Sequence, residues 1–341
     1  MKPIPVSIKS FKQFREAVYA FRLPRIIFSA LDLNLFTKMN DRVWTIPELA
    51  KRVRVSQRGL AILCRNLASV GLLVKSQTGY RLTPFSKRYL QESSPDFQGD
   101  YLMLMQRQWS EWSHLTEVIR VGQPLDSQEP ETTEYRRSFS WAMHHRSIQP
   151  AREVAQQISL KADRTLLDLG GGPGTYALAF LAQNPTLHAT VMDRPAALDV
   201  ARTLAEQSSL GSRLTYQAGN FLTARISGTY DVVWYSNVLH IYSPADNLKI
   251  FKKIKRILHP GGRLLIQDTF LQDPNELQPL EANLFAVSML LYTQRGNTYS
   301  VREVREWLQR AGLTRSRLLH LKKGTGDWEG QLVEGRLPRS G

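Results

Sequence analysis

TLLDLGGGPGTY, residues 165–176, is the stretch on which the fold turns. An apolar run meets Asp168, and four of the five residues 170–174 are glycine: Gly170, Gly171, Gly172 and Gly174. A glycine turn between a strand and a helix lets ligand atoms approach the backbone and the helix N-terminus. The spacing is D-x-G-x-G-x-G, which differs from the dinucleotide pattern G-x-G-x-x-G. Asp168 also argues against a pyrophosphate, because a carboxylate repels a dianion at short range. The position suits a ligand group that carries positive charge.

A second acid, Asp193 in TVMDRP, ends the next strand-like run. An acid there can accept hydrogen bonds from both ribose hydroxyls. A ribose, a cationic group and no phosphate describe S-adenosylmethionine, which carries a sulfonium and an ammonium. A tight turn by itself would explain the glycines but not the second acid.

The surroundings of the loop alternate. TLLDLG, ATVMDR, RLTYQAGNF, DVVWYSNVL and RLLIQDTF are strand-like, and helix-like stretches at 175–183, 196–208 and 244–258 lie between them. Such alternation requires right-handed crossovers and a parallel sheet. HPGG (259–262) is expected to stop a helix just before a strand, and the tail 316–337 reads as strand, loop and final strand.

The N-terminal part is helical. Residues 14–39 have helical apolar spacing interrupted by Pro24. Thr45 can cap a short helix, and Ser56 a second one that ends at Gly71. LLVKS, a turn at Thr78-Gly79 and YRLT then read as a hairpin. Helix, turn, helix and hairpin make a winged-helix unit. Residues 98–150 are helical and rich in aromatics, with a loop at 122–135 and the main domain boundary near Pro150.

Composition bounds the rest. The chain has 341 residues, enough for two domains, and its 42% hydrophobic content is that of a globular protein. No apolar run reaches membrane-span length, and the N-terminus lacks a signal peptide's apolar core, so no transmembrane segment is expected. The single cysteine, Cys64, fits a cytoplasmic location, and no cluster has metal-ligand spacing. The net charge of +15 is assigned to solvated helix faces, a nucleic-acid or anionic-membrane partner being the alternative. In KIFKKIKRIL (249–258) the lysines flank an apolar stripe of Leu248, Phe251, Ile254 and Leu258.

With these elements in place, the chain resembles class I S-adenosylmethionine-dependent methyltransferases. More narrowly it is similar to the O-methyltransferase family that includes plant caffeate and bacterial polyketide and hydroxyindole enzymes. DLGGGPGTYAL matches that family's glycine loop, SFSWAMHHRSI the helix before it, and TIPELAKRVRVSQRGLAILCRNLASVGLL its dimerisation domain. The resemblance implies an α/β fold: a Rossmann-like, doubly wound, seven-stranded sheet with its last strand antiparallel, preceded by a helical winged-helix domain. It also implies a homodimer. The expected division is a dimerisation domain at 1–95, a helical connector contributing to the substrate pocket at 96–150, and a cofactor-binding domain at 151–341.

The resemblance carries site residues too. Asp168, Gly170 and Gly172 would face the methionine part, Asp193 the ribose, and Asn220 and Phe221 the adenine. Ser147 falls where the family places a hydroxyl near the methionine carboxylate, and Ser236 where plant members have a lysine. In SNVLHIYSP, His240 matches the His of the family's His-Asp-Trp run, which acts as general base, while Ile241 and Tyr242 replace the Asp and Trp. Asp268 occupies one of two acidic positions that orient this base in plant members. The other falls in RGNTYS, which has Thr298 and no acid.

Trp109, Trp112, Phe139, Met143, Phe285, Met289 and Tyr292 are candidates to enclose a small-molecule acceptor, and one of His144 and His145 to line its pocket. The implied reaction is O-methylation of a hydroxyl on an aromatic or polycyclic molecule. The alternatives are C-methylation of a tetrapyrrole such as bacteriochlorophyllide, and a non-enzymatic winged-helix regulator that binds the cofactor. The second helix of the winged unit is largely apolar and short of groove-reading side chains, so no nucleic-acid partner is expected.

Overall fold

A computed structural model describes residues 7–125, 132–272, 275–322 and 331–339. The chain divides into two compact units, Met1–Gln108 and Trp109–Gly341, so the stretch 96–150 is shared between them.

The first unit runs α1 (Phe11–Tyr19), α2 (Arg22–Asp32), α3 (Leu35–Met39), α4 (Ile46–Val53), α5 (Gln57–Ser69), β1 (Leu73–Lys75), β2 (Tyr80–Leu82), α6 (Pro84–Leu90) and most of α7 (Gly99–Ser113). The expected interruption at Pro24 falls earlier, at Ala20 and Phe21. Pro24 itself lies in the first turn of α2, where a missing N–H costs no helical hydrogen bond. Thr45 and Glu48 close a capping box at α4, and the Ser56 hydroxyl accepts from the Gly59 N–H at 3.0 Å at α5. β1 and β2 pair antiparallel around the turn at Gly79. A side chain at Gly79 would collide with the Trp44 backbone, which bridges to Tyr80. Leu49, Leu60, Cys64, Leu67 and Leu82 are buried together as this unit's core.

The second unit contains α8 (Leu115–Val121), α9 (Thr133–Gln157), β3 (Thr165–Leu169), α10 (Thr175–Gln183), β4 (His188–Asp193), α11 (Pro195–Glu206), β5 (Leu214–Ala218) and β6 (Tyr230–Ser236). It continues through α12 (Pro244–Ile257), β7 (Leu258–Gln267), β8 (Phe270–Leu271), α13 (Leu280–Tyr292), β9 (Tyr299–Ser300), α14 (Val301–Ala311), β10 (Arg317–His320) and β11 (Gln331–Arg336). Among the described residues, seven strands form one sheet in the order β10-β11-β7-β6-β3-β4-β5. β3 to β7 pair in parallel, and β11 is antiparallel to both neighbours, β7 and β10. The last strand is therefore the reversed one. Central strands are apolar on both faces, as burial between two helical layers demands: Val232, Val233, Trp234 and Tyr235 are all fully buried. One layer packs α9, α10 and α11 on the sheet, the other α12 and α14.

Three local expectations are corrected. Pro150 marks no break, because α9 passes through it and buries it. HPGG does not precede β7 but lies inside it, as a bulge between the pairs Tyr230↔Leu258 and Val232↔Arg263. Pro260 has no N–H for a ladder and Gly261 has φ +82°, so the chain steps out of register there. The buried face of α12 is Ile250, Phe251, Ile254 and Ile257, while Leu258 already belongs to β7. Of the expected loop at 122–135, residues 126–131 lie outside the described residues, and α9 begins at its end, capped by Thr132. The tail loop at 323–330 lies outside them as well.

Candidate active site

Asp168 sits near the C-terminal end of β3, almost wholly buried. Its Oδ2 accepts from the Ala177 N–H at 3.2 Å, in the first turn of α10. A Cβ at Gly171 would collide with this carboxyl group, and Gly170 and Gly172 take φ of +73° and +52°. The glycines thus let the backbone fold tightly over the acid. Burial pushes the Asp168 carboxyl up to about 7, against the lowering effect of the Ala177 N–H. A carboxyl group so desolvated gains most from a cationic partner. Asp193 ends β4 and grips the same loop: its Oδ2 accepts from the Gly172 N–H at 2.8 Å and its Oδ1 from the Arg194 N–H at 2.6 Å. Burial raises its pKa too, opposed by these hydrogen bonds and by the charges of Arg194 and Arg136. Two desolvated acids around a bare glycine backbone fit a ligand with a cationic group and a ribose.

Asn220 and Phe221 follow β5 in a tight turn. The Asn220 side-chain oxygen accepts from the Leu222 N–H at 3.0 Å, and its second lone pair can still accept from a ligand amine. The Phe221 ring is buried edge-on to Tyr235 and Tyr242. A Cβ at Gly170 would crowd Val238 and the Phe221 ring, so this turn and the glycine loop meet. Lys253 on α12 fixes the turn by donating to the carbonyls of Phe221 at 3.0 Å, Leu222 at 2.6 Å and Ala224 at 2.9 Å. Sequence reasoning missed this lysine by grouping it with the solvated run. Its place beside Ile254, at the edge of the apolar stripe, was the available signal.

Ser236 turns inward: its hydroxyl donates to Gln267 Oε1 at 3.1 Å and accepts from Asn237 Nδ2 at 3.0 Å. Ser147 is half-buried on α9. Three residues before it, His144 Nδ1 lies 2.9 Å from Thr175 Oγ1 at the start of α10. Burial pushes the His144 pKa down to about 4, so the ring is neutral at physiological pH. His144 therefore joins α9 to the glycine loop.

His240 lies in a 3-10 turn just after β6, and Asp268 one residue past β7. His240 Nδ1 is 2.9 and 3.0 Å from the two Asp268 oxygens. The His240 and Thr269 backbone N–H groups donate to the same carboxylate, at 3.4 and 2.8 Å. Both side chains are buried. A carboxylate on Nδ1 fixes the tautomer with the proton there and leaves Nε2 as the acceptor. Ile241 and Tyr242 contribute no acid. The turn RGNTYS supports the pair differently, through the Asn297 N–H, which donates to the His240 carbonyl at 2.9 Å. Gly296 leaves no room for a side chain against that carbonyl.

This geometry agrees with comparisons to known proteins. Residues 112–314 match the O-methyltransferase domain, and residues 16–92 the O-methyltransferase dimerisation domain. The chain belongs to the O-methyltransferase family. It is similar to the 3-hydroxy-5-methyl-1-naphthoate 3-O-methyltransferase of Streptomyces sahachiroi, at 28% identity over 296 residues covering 85% of each chain. It is also similar to the tetracenomycin polyketide synthesis 8-O-methyl transferase of Streptomyces glaucescens, at 27% over 306 residues, 86% of this chain and 89% of that one. A solved O-methyltransferase family protein from Burkholderia thailandensis superposes with a TM-score of 0.86 at 27% identity, over 98% of this chain and 100% of the other. The chain is thus an S-adenosylmethionine-dependent O-methyltransferase. Neither the carbon-acceptor reading nor the regulator reading is favoured.

The candidate acceptor residues of this O-methyltransferase divide. The Phe285 ring stands edge-on to the His240 imidazole, with centroids 4.7 Å apart. Met289, one turn further along α13, is buried. Met143 is half-buried on α9, while Trp109 and Phe139 are 39% and 40% exposed. Phe285 is the one whose ring touches the catalytic candidate.

Proposed function

We propose that this O-methyltransferase methylates a hydroxyl on an aromatic or polycyclic small molecule, with His240 as general base and Asp268 as the group that orients it. The observation that carries the reading is the buried contact between His240 Nδ1 and Asp268 at 2.9 Å. When bound, S-adenosylmethionine supplies an electrophilic methyl group on its sulfonium. Asp168, Gly170, Gly172 and Ser147 would hold its methionine part, Asp193 its ribose, and Asn220 and Phe221 its adenine. Ser236 acts at one remove, by fixing Gln267.

His240 Nε2 removes the acceptor's hydroxyl proton, and Asp268 stabilises the imidazolium that forms. A phenol with a pKa of about 10 is almost wholly protonated at neutral pH, so the base contributes roughly 10²–10⁴-fold. The dyad has one acid rather than two, and the turn that carries the second in plant members here holds the His240 backbone carbonyl through the Asn297 N–H. Phe285 walls the imidazole from water, which strengthens the ionic pair.

The first unit is read as a winged-helix dimerisation domain and the protein as a homodimer. The domain match supports this, and so do exposed apolar side chains on α1, with Phe11 76% and Phe14 50% exposed. A cytoplasmic location fits the single buried Cys64. No helix among the described residues is long and apolar enough to cross a membrane. The functional reading is tested by incubating the purified protein with methyl-labelled cofactor and a panel of phenols. Label found only as a methyl ether supports it, and a C-methyl product overturns it.

A further inference from the structure

The buried stripe of α12 opens on an amide. Asn247, Ile250, Phe251 and Ile254 stand at i, i+3, i+4 and i+7 on one face, and Asn247 is fully buried. An apolar side chain is the usual occupant of such a position, and a buried amide costs free energy unless its groups are paired. Every polar group of the Asn247 side chain is paired. Its Nδ2 donates to the Leu239 carbonyl at 2.9 Å and to the Tyr242 carbonyl at 3.0 Å. Its Oδ1 accepts from the hydroxyl of Tyr235, itself fully buried on β6, at 3.2 Å.

Leu239 and Tyr242 bracket the 3-10 turn that carries His240. The turn is held a second time by the Asn297 N–H on the His240 carbonyl and by the Tyr299 hydroxyl on the Tyr242 carbonyl, at 2.9 and 2.7 Å. Its two ends face different halves of the site. The His240 ring meets Asp268 and Phe285. The Tyr242 ring stands edge-on to Phe221, with centroids 5.6 Å apart. Burial holds the Tyr242 hydroxyl above the usual tyrosine range, opposed by the charge of Arg194 and aided by that of Asp193. The two hydrogens of one amide nitrogen leave at a fixed angle, so Asn247 ties the backbone on the His240 side to the backbone beside the adenosine residues.

We propose that Asn247 is a positioning residue for methyl transfer, holding the general base at a fixed distance from the cofactor. This rests on His240 being the base. Asp268 decides how the imidazole turns and which nitrogen is free, whereas the place of the ring follows the backbone beneath it. A base must reach the hydroxyl while the oxygen is in line with the methyl group, and a displacement of about 1 Å costs roughly a hundredfold. Neither an isosteric acid nor an apolar residue can replace the clamp, because an ionised Asp has no donor and Leu has no polar group.

The test sets full-length Asn247→Ala and Tyr235→Phe beside wild type and His240→Ala. Tyr235→Phe removes one core hydroxyl and leaves the amide present but unanchored, so it carries the test if Asn247→Ala does not fold. Single-turnover rates with methyl-labelled S-adenosylmethionine and 2-naphthol are followed against pH, and S-adenosylhomocysteine affinity by calorimetry. Asn247→Ala should lose roughly tenfold to a hundredfold at neutral pH, and Tyr235→Phe about threefold to tenfold. Both losses should shrink as pH rises towards about 10, as for His240→Ala, because the phenolate needs no base. Affinity should stay within about threefold, since Tyr299 still holds the Tyr242 carbonyl. A wild-type rate in the folded variants overturns the proposal. So does a loss that is equal at every pH or is matched by weaker cofactor binding; if His240→Ala keeps its pH-dependent loss in that case, the base stands and only the clamp is refuted. A wild-type rate in His240→Ala refutes the base and the clamp together. If 2-naphthol is not methylated, the far-downfield proton resonance of the His240 Nδ1–H, identified by its absence in His240→Ala, decides instead. Its loss in the folded variants at unchanged affinity supports the clamp, and its persistence unshifted overturns it.

Discussion

Replacing Asp268 by Asn tests the catalytic reading most sharply. The substitution keeps the shape of the side chain and its two backbone donors, the N–H groups of His240 and Thr269. It removes the charge at 2.9 Å from the imidazole. Two losses follow. The imidazolium formed on proton transfer loses a buried counter-ion, and a charge-assisted hydrogen bond is worth about 1.5–3 kcal/mol. The amide can also donate to Nδ1, which moves the ring proton to Nε2 and blocks it as a base. Together these should cost roughly 10²–10³-fold in the single-turnover rate at neutral pH, at about 1.4 kcal/mol per tenfold. His240→Ala should cost roughly 10²-fold or more, and cofactor affinity should hold in both variants, because the glycine loop and Asp193 are separate from the dyad. For a phenolic acceptor both losses should shrink as pH rises towards about 10, where the phenolate forms without help. The assay is a single-turnover pH–rate profile of the three proteins. If Asp268→Asn stays within about threefold of wild type across the profile, Asp268 does not orient a base. If His240→Ala does too, methyl transfer proceeds by proximity and orientation alone.

Other outcomes follow from the cofactor loop and the first unit. Asp193→Ala should weaken S-adenosylhomocysteine binding by roughly 2–3 kcal/mol, at about 1–1.5 for each ribose hydrogen bond, and calorimetry showing unchanged affinity in a folded variant would remove Asp193 from the site. Asp168 ionises in the unligated fold only near pH 7, against an ordinary 3.8. Between these values the folded chain holds a proton that the unfolded chain has lost, so this group's contribution to stability falls as pH rises through the window. A cationic ligand favours the ionised form, so S-adenosylmethionine affinity should rise with pH up to about 7 and then level, with proton release measurable by calorimetry in buffers of different ionisation heat; a flat profile would contradict the burial argument. Light scattering should give twice the 38.9 kDa chain mass, and Phe14→Asp should shift the protein towards monomer; a wild-type monomer at micromolar concentration would count against the dimer.

How far the sequence discloses this site depends on what a residue needs from its neighbours in space. The glycine loop was legible because the constraint is local. Gly170 and Gly172 need left-handed φ, and Gly171 lies on Asp168, three residues away. The alternation that predicts a parallel sheet is local in the same sense, since each strand and helix carries its own period. The HPGG bulge was not legible, because Pro and Gly stop a helix and kink a strand equally well. Lys253 was missed for a related reason. Its three carbonyl partners lie 29 to 32 residues earlier, and within α12 only its place beside Ile254 separates it from a solvated lysine. The dyad falls between these cases. The family resemblance supplied His240 and Asp268 as types and positions, but not their contact. That contact comes from register. β6 and β7 end as a pair, Ser236 opposite Gln267, and the Asn237 N–H donates to the Gln267 carbonyl at 2.9 Å. Asn237 then takes φ +55°, and the 3-10 turn after it brings His240 back over the end of β7, where Asp268 is the next residue. A one-residue slip between these strands would turn Asp268 to the opposite face of the sheet and leave His240 without its acid.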